Sequence, residues 1–485
     1  MFPRQLLSPV LVCSLGLTFA AGVAIPSVAF AKTKKSDVAK AFKSGDKERV
    51  TKILKELEGD LDKNTVKAVV DNSKRLRSLG VYEELVSCLR TAKGEALAEL
   101  IKHYKKQKKG GIRFLVVDGL GLNPEAKAEE ILFTAARKDK DEPIRALSIR
   151  LLGKRNTKSA VNGLIELLGE VEESSERLAR EINGALGNLT GEDLAVAEDW
   201  KNWWETNQSK FTPKAKDEEG GTKERGNLLD RMAKDRPAEL KTMTRMKNDE
   251  IIVIRGNDKV EDVLQALKLK YKRIEREEFD ALELKPESQL LLLNCPGRAA
   301  FTEKGIEKIR KFVADGGYIF CSDWELGKTL AKAFPEACQF LKESPKGDVK
   351  ETTIAPFPAA AKHPLMRDVF PLNTFETGGF AWKLEGRSHL AKTTPHIVPL
   401  VSCEGIKDLG TTMVAFSFSF TREKGGRPVT GAQAKKLKRP PGQVVWVSSH
   451  FKLQKDPKGD GFALQQLLLN FILEKQNQKR AFQGR

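Results

Sequence analysis

Cys321 is the side chain on which chemistry would turn. It stands near the end of an apolar, β-prone run, YIFCS, and Asp323, Trp324 and Glu325 follow at once, so a thiol, two carboxylates and an indole leave one strand terminus together. In a doubly wound sheet, ligands and reacting groups lie just beyond the carboxyl ends of the strands. Asp323, Trp324 and Glu325 are therefore candidate pocket residues, and so are Ser449, which ends another β-prone run, QVVWVSS, and His450 just after it. A plainer account is favoured for the first group, in which Asp323 caps the next helix and Trp324 packs beneath it. Beyond residue 31 the cysteines are Cys88, Cys295, Cys321, Cys338 and Cys403, with no CxxC pair and no histidine at metal spacing, so no metal site is expected. Single cysteines scattered through a leucine-rich core are more often free and buried than paired. The turn at Gly256 lacks the glycine spacing of a phosphate cradle, and no cofactor is expected. His363 is read as structural, and His389 and His396 lie in turn-rich sequence with no visible constellation.

The elements that must position these groups begin between residues 289 and 324. QLLLLN is a continuous apolar run of strand length, as suits a strand covered on both faces. CPGRAAF turns the chain. Thr302 then offers a hydroxyl to cap a helix in which Ile306, Ile309 and Phe312 or Val313 line one face. Gly316 and Gly317 end that helix, because glycine tolerates the left-handed conformation that closes many helix C-termini. With YIFCS next, the unit is βαβ with a right-handed crossover and a parallel pair. The pattern recurs in the strand IIVIR, the turn Gly256-Asn257-Asp258, a helix over 260–269 and a strand over 271–274. IVPLVSC, TMVAFSFSF and QVVWVSS are further strands. A closing helix carries Phe462, Leu464, Leu467, Leu468, Phe471 and Ile472 at helical spacing.

The order of these elements, with FTEKGIEKIRKFVADGGYIF, KHPLMRDVF and GQVVWVSSHF followed by ALQQLLLNFIL, resembles the class I glutamine amidotransferase-like superfamily, flavodoxin-like in fold. Within it the trehalose-utilisation (ThuA-like) branch is the nearest likeness, and the resemblance covers roughly the C-terminal half. Catalytic members place a cysteine at a glycine-bracketed elbow between strand and helix, and complete a triad after the last strand. The resemblance thus implies Cys321 as nucleophile and His450 as base of a thiol-dependent hydrolase or transferase, with Asp323 or Glu325 orienting the ring. It also implies that Asp323, Trp324, Glu325, Ser449 and His450 converge at one rim. The surrounding residues argue against catalysis. Ile319 and Asp323 stand where the elbow glycines belong, and Lys452 replaces the triad glutamate with a cation that would disfavour an imidazolium.

The other half is a different object. DEPIRALSIRLLGK is an amphipathic helix with Ile144, Leu147, Leu151 and Leu152 on one side, and TKSAVNGLIELLGE is its partner. A second round opens at SSERLAREINGALGNLTG, where Arg177 and Gly187 echo Arg145 and Gly153 at a period of about thirty residues. These phrases resemble HEAT repeats, an armadillo-like helical array whose usual use is to bind a protein or peptide. Trp200, Trp203 and Trp204 are read as a packed cap of the array.

Charge and termini complete the reading. The formal net charge of +18 is uneven, and Arg422, Lys435, Lys436, Lys438 and Arg439 concentrate before the last strand. A solvated basic surface is the favoured account, and an anionic polymer or lipid surface is the partner such a patch would suit. No nucleic-acid module accompanies it, and no nucleic-acid partner is expected. An apolar stretch over 6–24 and the small-x-small pattern Ala29-Phe30-Ala31 predict a signal peptide cleaved after Ala31 and export to a periplasm or medium, with an uncleaved membrane anchor as the alternative. No later segment is long enough to span a bilayer. The expectation is a multidomain chain: signal peptide 1–31, all-α HEAT-like array 32–211, charged and solvated linker 212–249 with room for one helix in LLDRMAKDRPAELKTM, α/β doubly wound and mostly parallel domain 250–476, and tail 477–485, the two folded parts forming separately. The favoured function is an exported, non-enzymatic binding or scaffold protein.

Overall fold

The computed structural model describes residues 35–76, 80–212, 228–360, 363–370, 380–454 and 461–483. The expected signal peptide and the stretch 213–227 of the expected linker lie outside the described residues. From Lys35 to Asn207 the described chain is helical and strand-free. Helices stack on their next-but-one neighbours. Tyr82–Arg90 packs on Gly110–Leu120, that helix on Glu142–Leu152, and that one on Glu176–Thr190. One apolar core runs the length of the stack, from Val38 to Trp204. The close approach of the last two helices depends on Gly153, where a Cβ would lie 2.7 Å from the Cβ of Ala185. Trp200 is fully buried and its indole N–H donates to Asn183 Oδ1 at 2.8 Å, which fits a packed end to the stack.

Among the described residues the C-terminal part is built on thirteen strands: β1 (Ile251–Ile254), β2 (Lys272–Ile274), β3 (Leu290–Leu293), β4 (Tyr318–Ser322), β5 (Gln339–Glu343), β6 (Lys350–Thr353), β7 (Ala355–Pro356), β8 (Ala381–Leu384), β9 (His389–Lys392), β10 (Val398–Ser402), β11 (Met413–Thr421), β12 (Arg427–Val429) and β13 (Gly442–Val447). The main sheet has the order β2-β1-β3-β4-β13-β11-β10-β7, with β12 beside β11. Strands β2, β1, β3, β4 and β13 are parallel, whereas β11, β10 and β7 follow antiparallel. The βαβ unit stands as its residues suggest. Thr302 caps the helix Glu303–Ala314 by accepting from the Gly305 N–H at 3.0 Å, and Gly316 closes it at a φ of 103°. Strand alternation divides the core between the two faces. Ile252, Leu291, Leu293, Ile319 and Cys321 face one apolar layer, while Val253, Leu292 and Phe320 face the other.

Three boundaries differ from the sequence expectation. The connector is not wholly solvated: where the composition left room for one helix, two form, Leu228–Asp235 and Pro237–Thr244, and Leu228, Met232, Met243 and Met246 are buried in the core of the α/β part. A few apolar residues on one face suffice to dock a segment whose overall composition is charged. The helical and α/β parts, expected to fold separately, share a buried ionic junction. Arg150 reaches Glu181 and Asp368 at 2.6 Å each, and Arg367 reaches Glu239 at 2.6 Å and also pairs with Glu181. The closing helix runs from Phe462 to Gln483, past the expected end at 476. Its extra length buries polar side chains, which an apolar stripe cannot reveal: Lys475 is fully buried and donates to Gly316 O at 3.0 Å and Gln478 Oε1 at 2.6 Å. Among the described residues, no helix is long and apolar enough to cross a membrane.

Candidate functional site

Parallel strands deliver their carboxyl ends to one edge of a sheet, and in this chain each of four such ends is followed by a reactive side chain. Asp258 follows β1, Cys295 follows β3, Asp323 follows β4 and His450 follows β13. All four are buried, with 1–4% of their surface exposed. The loops that carry them are locked together. The Asn257 N–H donates to Cys295 O at 2.7 Å, and Gly256 permits this because a Cβ there would sit 2.4 Å from that same oxygen. The Cys295 N–H in turn donates to Ser322 Oγ at 3.0 Å.

Asp323 occupies the turn that leaves β4, in the left-handed region at a φ of 44°. Its side chain does not cap the following turn. Instead Oδ1 accepts from the His389 N–H at 2.8 Å, and Oδ2 lies 3.5 Å from His450 Nε2. The other side of the ring is met by Glu385, whose Oε2 is 3.3 Å from His450 Nδ1. Lys452 does not oppose the imidazole as its place in sequence suggested, because its ammonium is spent on Glu385 at 3.1 Å. Cys295, Asp323 and His450 offer a sulfur, an oxygen and a nitrogen that all lie within 4.8 Å of one another. None of the neighbours meets the ring in regular hydrogen-bond geometry, and Asp258 Oδ2 is likewise buried without a partner.

Electrostatics follow from this crowding. Burial alone would push the His450 imidazole down, but the adjacent Cys295 and Glu385, with the charges of Asp258 and Asp323, lift it to about 10. Burial lifts Asp323 to about 7, against the attraction of His450 and the His389 N–H. The ring therefore holds its proton, and Glu385 beside it is pulled down to about 2, chiefly by His450 and Lys452, with burial opposing. A ring that keeps its proton through neutral pH is a poor general base.

The structure separates Cys321 from this cluster. The thiol faces the core with Ile319 and Leu293, 1% exposed, and is directed at Val445 O at 3.5 Å. Burial raises its pKa well above the ordinary value, with Glu325 and Cys338 adding to the effect. Cys321 lies within β4, on its core face, and Asp323 in the left-handed turn beyond the strand takes the position that resemblance gave to the cysteine. The thiol beside His450 is Cys295, not Cys321. Glu325 is no pocket residue either, being fully buried against Arg276 at 2.6 Å and the Thr329 hydroxyl. Trp324 stacks on His389 with ring centroids 5.6 Å apart and donates to Arg387 O at 2.7 Å. The Ser449 hydroxyl donates to Lys383 O at 2.9 Å. These residues reach one end of the sheet, but each of Trp324, Glu325 and Ser449 is engaged by the chain itself.

Sequence reasoning missed Cys295, Asp258 and Glu385, and it gave His389 no role. The first two carried a legible signal, since each follows a parallel strand end by a few residues. Glu385 and His389 arrive from the β8–β9 segment, for which no strand was expected. His363 is partly buried and accepts from the Leu365 N–H at 3.2 Å, and desolvation lowers its pKa to about 4. Of the basic residues, Arg422 pairs with Asp315 at 3.2 Å and Lys435 donates to Glu173 O at 3.0 Å, while all five of Arg422, Lys435, Lys436, Lys438 and Arg439 remain exposed.

No family model matches the chain, and no curated relative matches it. Among solved structures it is similar to a putative GMP synthase protein from Thermoplasma acidophilum, at 10% identity and a TM-score of 0.31, over 50% of this chain and 100% of that one. It is similar also to a glutamine amido transferase from Methylobacillus flagellatus, at 10% identity and a TM-score of 0.29, over 49% of this chain and 95% of that one. A third is the exo-β-1,4-mannosidase Op5Man5 from Opitutaceae bacterium strain TAV5, at 10% identity and a TM-score of 0.25, over 71% of this chain and 55% of that one.

Proposed function

We propose that this chain is an exported, non-enzymatic binding or scaffold protein, in which a HEAT-like array engages a protein partner and a degenerate amidotransferase-like domain serves as a second binding module. The observation that carries this reading is the orientation of Cys321, whose sulfur points into the core instead of toward His450. Without that pair, the thiol chemistry implied by resemblance has no nucleophile. The ionic junction between the parts supports the scaffold role, because it holds the array and the α/β domain in one relation instead of leaving them on a free tether. The basic residues of the β11–β13 connection are the side an anionic polymer or surface would meet. A leader cleaved after Ala31 belongs to the same reading, and the N-terminal mass of the mature protein tests it.

The competing reading is a thiol-dependent hydrolase or transferase, and one observation favours it: Cys295 lies against His450, with Asp323 beside the ring. Electrophilic labelling of the full chain across pH, in the presence of a chelator, separates the two. A binding protein labels at Cys295 and Cys321 no faster than a free model thiol, with or without His450→Ala. Fast labelling of either cysteine that collapses in His450→Ala would replace the scaffold reading with the enzyme.

A further inference from the structure

The strand-end cluster has a feature that a spent active site does not need. Its donor atoms are held in place by other contacts that leave them spare. The Cys295 backbone is pinned to Ser322, Asp323 gives Oδ1 to the His389 N–H and keeps Oδ2, and His450 turns Nδ1 to Glu385 and Nε2 to Asp323. We propose that Cys295, Asp323 and His450 form a binding site for one divalent transition-metal ion of the zinc class, with Glu385 as the carboxylate that orients the histidine.

Four observations converge on this assignment. The donors are one sulfur, one carboxylate oxygen and one imidazole nitrogen, a set that suits zinc and its neighbours and does not suit magnesium or calcium, which take oxygen alone. They lie within 4.8 Å of one another, so small side-chain shifts bring them to a common centre. A carboxylate on the far nitrogen of a ligating histidine fixes its tautomer and raises its basicity, and Glu385 stands in that place at 3.3 Å, itself held by Lys452. Finally, Asp258, at the end of the neighbouring parallel strand, keeps one oxygen buried and without a hydrogen-bond partner. On binding, the thiol and the imidazolium each release a proton to solvent, and sulfur–metal and nitrogen–metal bonds form in their place. Glu385, with 30% of its side chain exposed, marks the side on which solvent reaches the cluster.

The test uses the full chain, stripped with a chelator and then titrated with Co²⁺ and Zn²⁺. One ion binds per chain, and Co²⁺ gives a thiolate-to-metal charge-transfer band that persists in Cys321→Ser and disappears in Cys295→Ser. Glu385→Gln retains the stoichiometry but weakens affinity by about 10- to 100-fold, the usual effect of losing an orienting carboxylate. X-ray absorption of the zinc-loaded wild type needs no variant and shows one sulfur among nitrogen and oxygen neighbours. A wild-type cobalt spectrum without the charge-transfer band, a band that survives Cys295→Ser, or a zinc shell without sulfur overturns the proposal. These outcomes are independent of the scaffold reading, which is decided by thiol reactivity in chelator.

Discussion

Two of the buried polar clusters among the described residues differ in how fully their groups are paired. At the junction between the helical and α/β parts, Arg150, Glu181, Arg236, Glu239, Arg367 and Asp368 pair through close contacts of opposite charge, and only Arg367 Nε among them lacks regular hydrogen-bond geometry. At the strand ends, Asp258, Asp323 and His450 are as deeply buried, yet an oxygen of Asp258 and both nitrogens of His450 lack regular hydrogen bonds. Burying a charge costs several kcal/mol unless neighbours replace the lost water. The junction meets that cost internally, as an architectural element should. The strand-end cluster leaves part of it unmet, which is the condition of a site awaiting something from outside.

Breaking the junction should have the largest effect. Arg367→Ala strands Glu181 and Glu239 without a partner, and about 3–5 kcal/mol of stability should be lost, measured by denaturant unfolding of the full chain. A loss below about 1 kcal/mol would mean that the junction is solvated and the contrast unfounded. Acid should act on the same residues. Burial works against the Glu239 carboxylate, but Arg236 and Arg367 hold it down at about 2, and Arg150 and Arg367 hold Asp368 below its ordinary value. Groups depressed in the folded state stabilise it above their unfolded pKa and lose that contribution as pH falls through the folded one. Junction stability should therefore be constant above the ordinary Glu value of 4.5 and decline as pH falls toward 2, followed by the unfolding midpoint against pH. A midpoint unchanged over that window would remove the assigned charges.

Smaller effects sharpen the other side of the comparison. Cys321→Ala deletes one buried sulfur from a packed layer and should cost about 1 kcal/mol, with the strand-end cluster unaltered by histidine NMR. A change in the His450 resonances would show that the two thiols are coupled after all. Asp323→Asn keeps the acceptor for the His389 N–H while removing a charge from an overcrowded cluster. Without metal it should alter stability by less than about 1 kcal/mol, in contrast to the junction. A loss as large as that of Arg367→Ala would place Asp323 among the architectural charges.

How much of this could be read beforehand depended on whether the signal was local. Strand β4, the Thr302 cap, the Gly316 stop and the stacked helices around Ile144 and Leu152 declare themselves over short windows, because apolar period and capping chemistry act between near neighbours. In the antiparallel β5–β9 and β6–β8 pairs, β5 and β6 are largely exposed, and β8 and β9 are only four residues long, so neither pair gave such a signal. Lys475 and Gln478 deep in the closing helix contradict the rule that charged and polar groups stay outside, since their partners are backbone carbonyls far away in sequence.

Sequence alone determined that a helical part precedes an α/β part, that β4 delivers its last residues to the carboxyl edge of the sheet, and that a histidine follows the final parallel strand. Only the tertiary structure decided which thiol that histidine meets. Strand alternation turns Cys321 inward, and the register of β3 against β4, with Leu293 opposite Cys321, brings Cys295 to the edge in its place. Which side chains share a few ångströms is fixed by pairing between segments more than a hundred residues apart, and that information is carried by the packed chain and not by any one stretch of it.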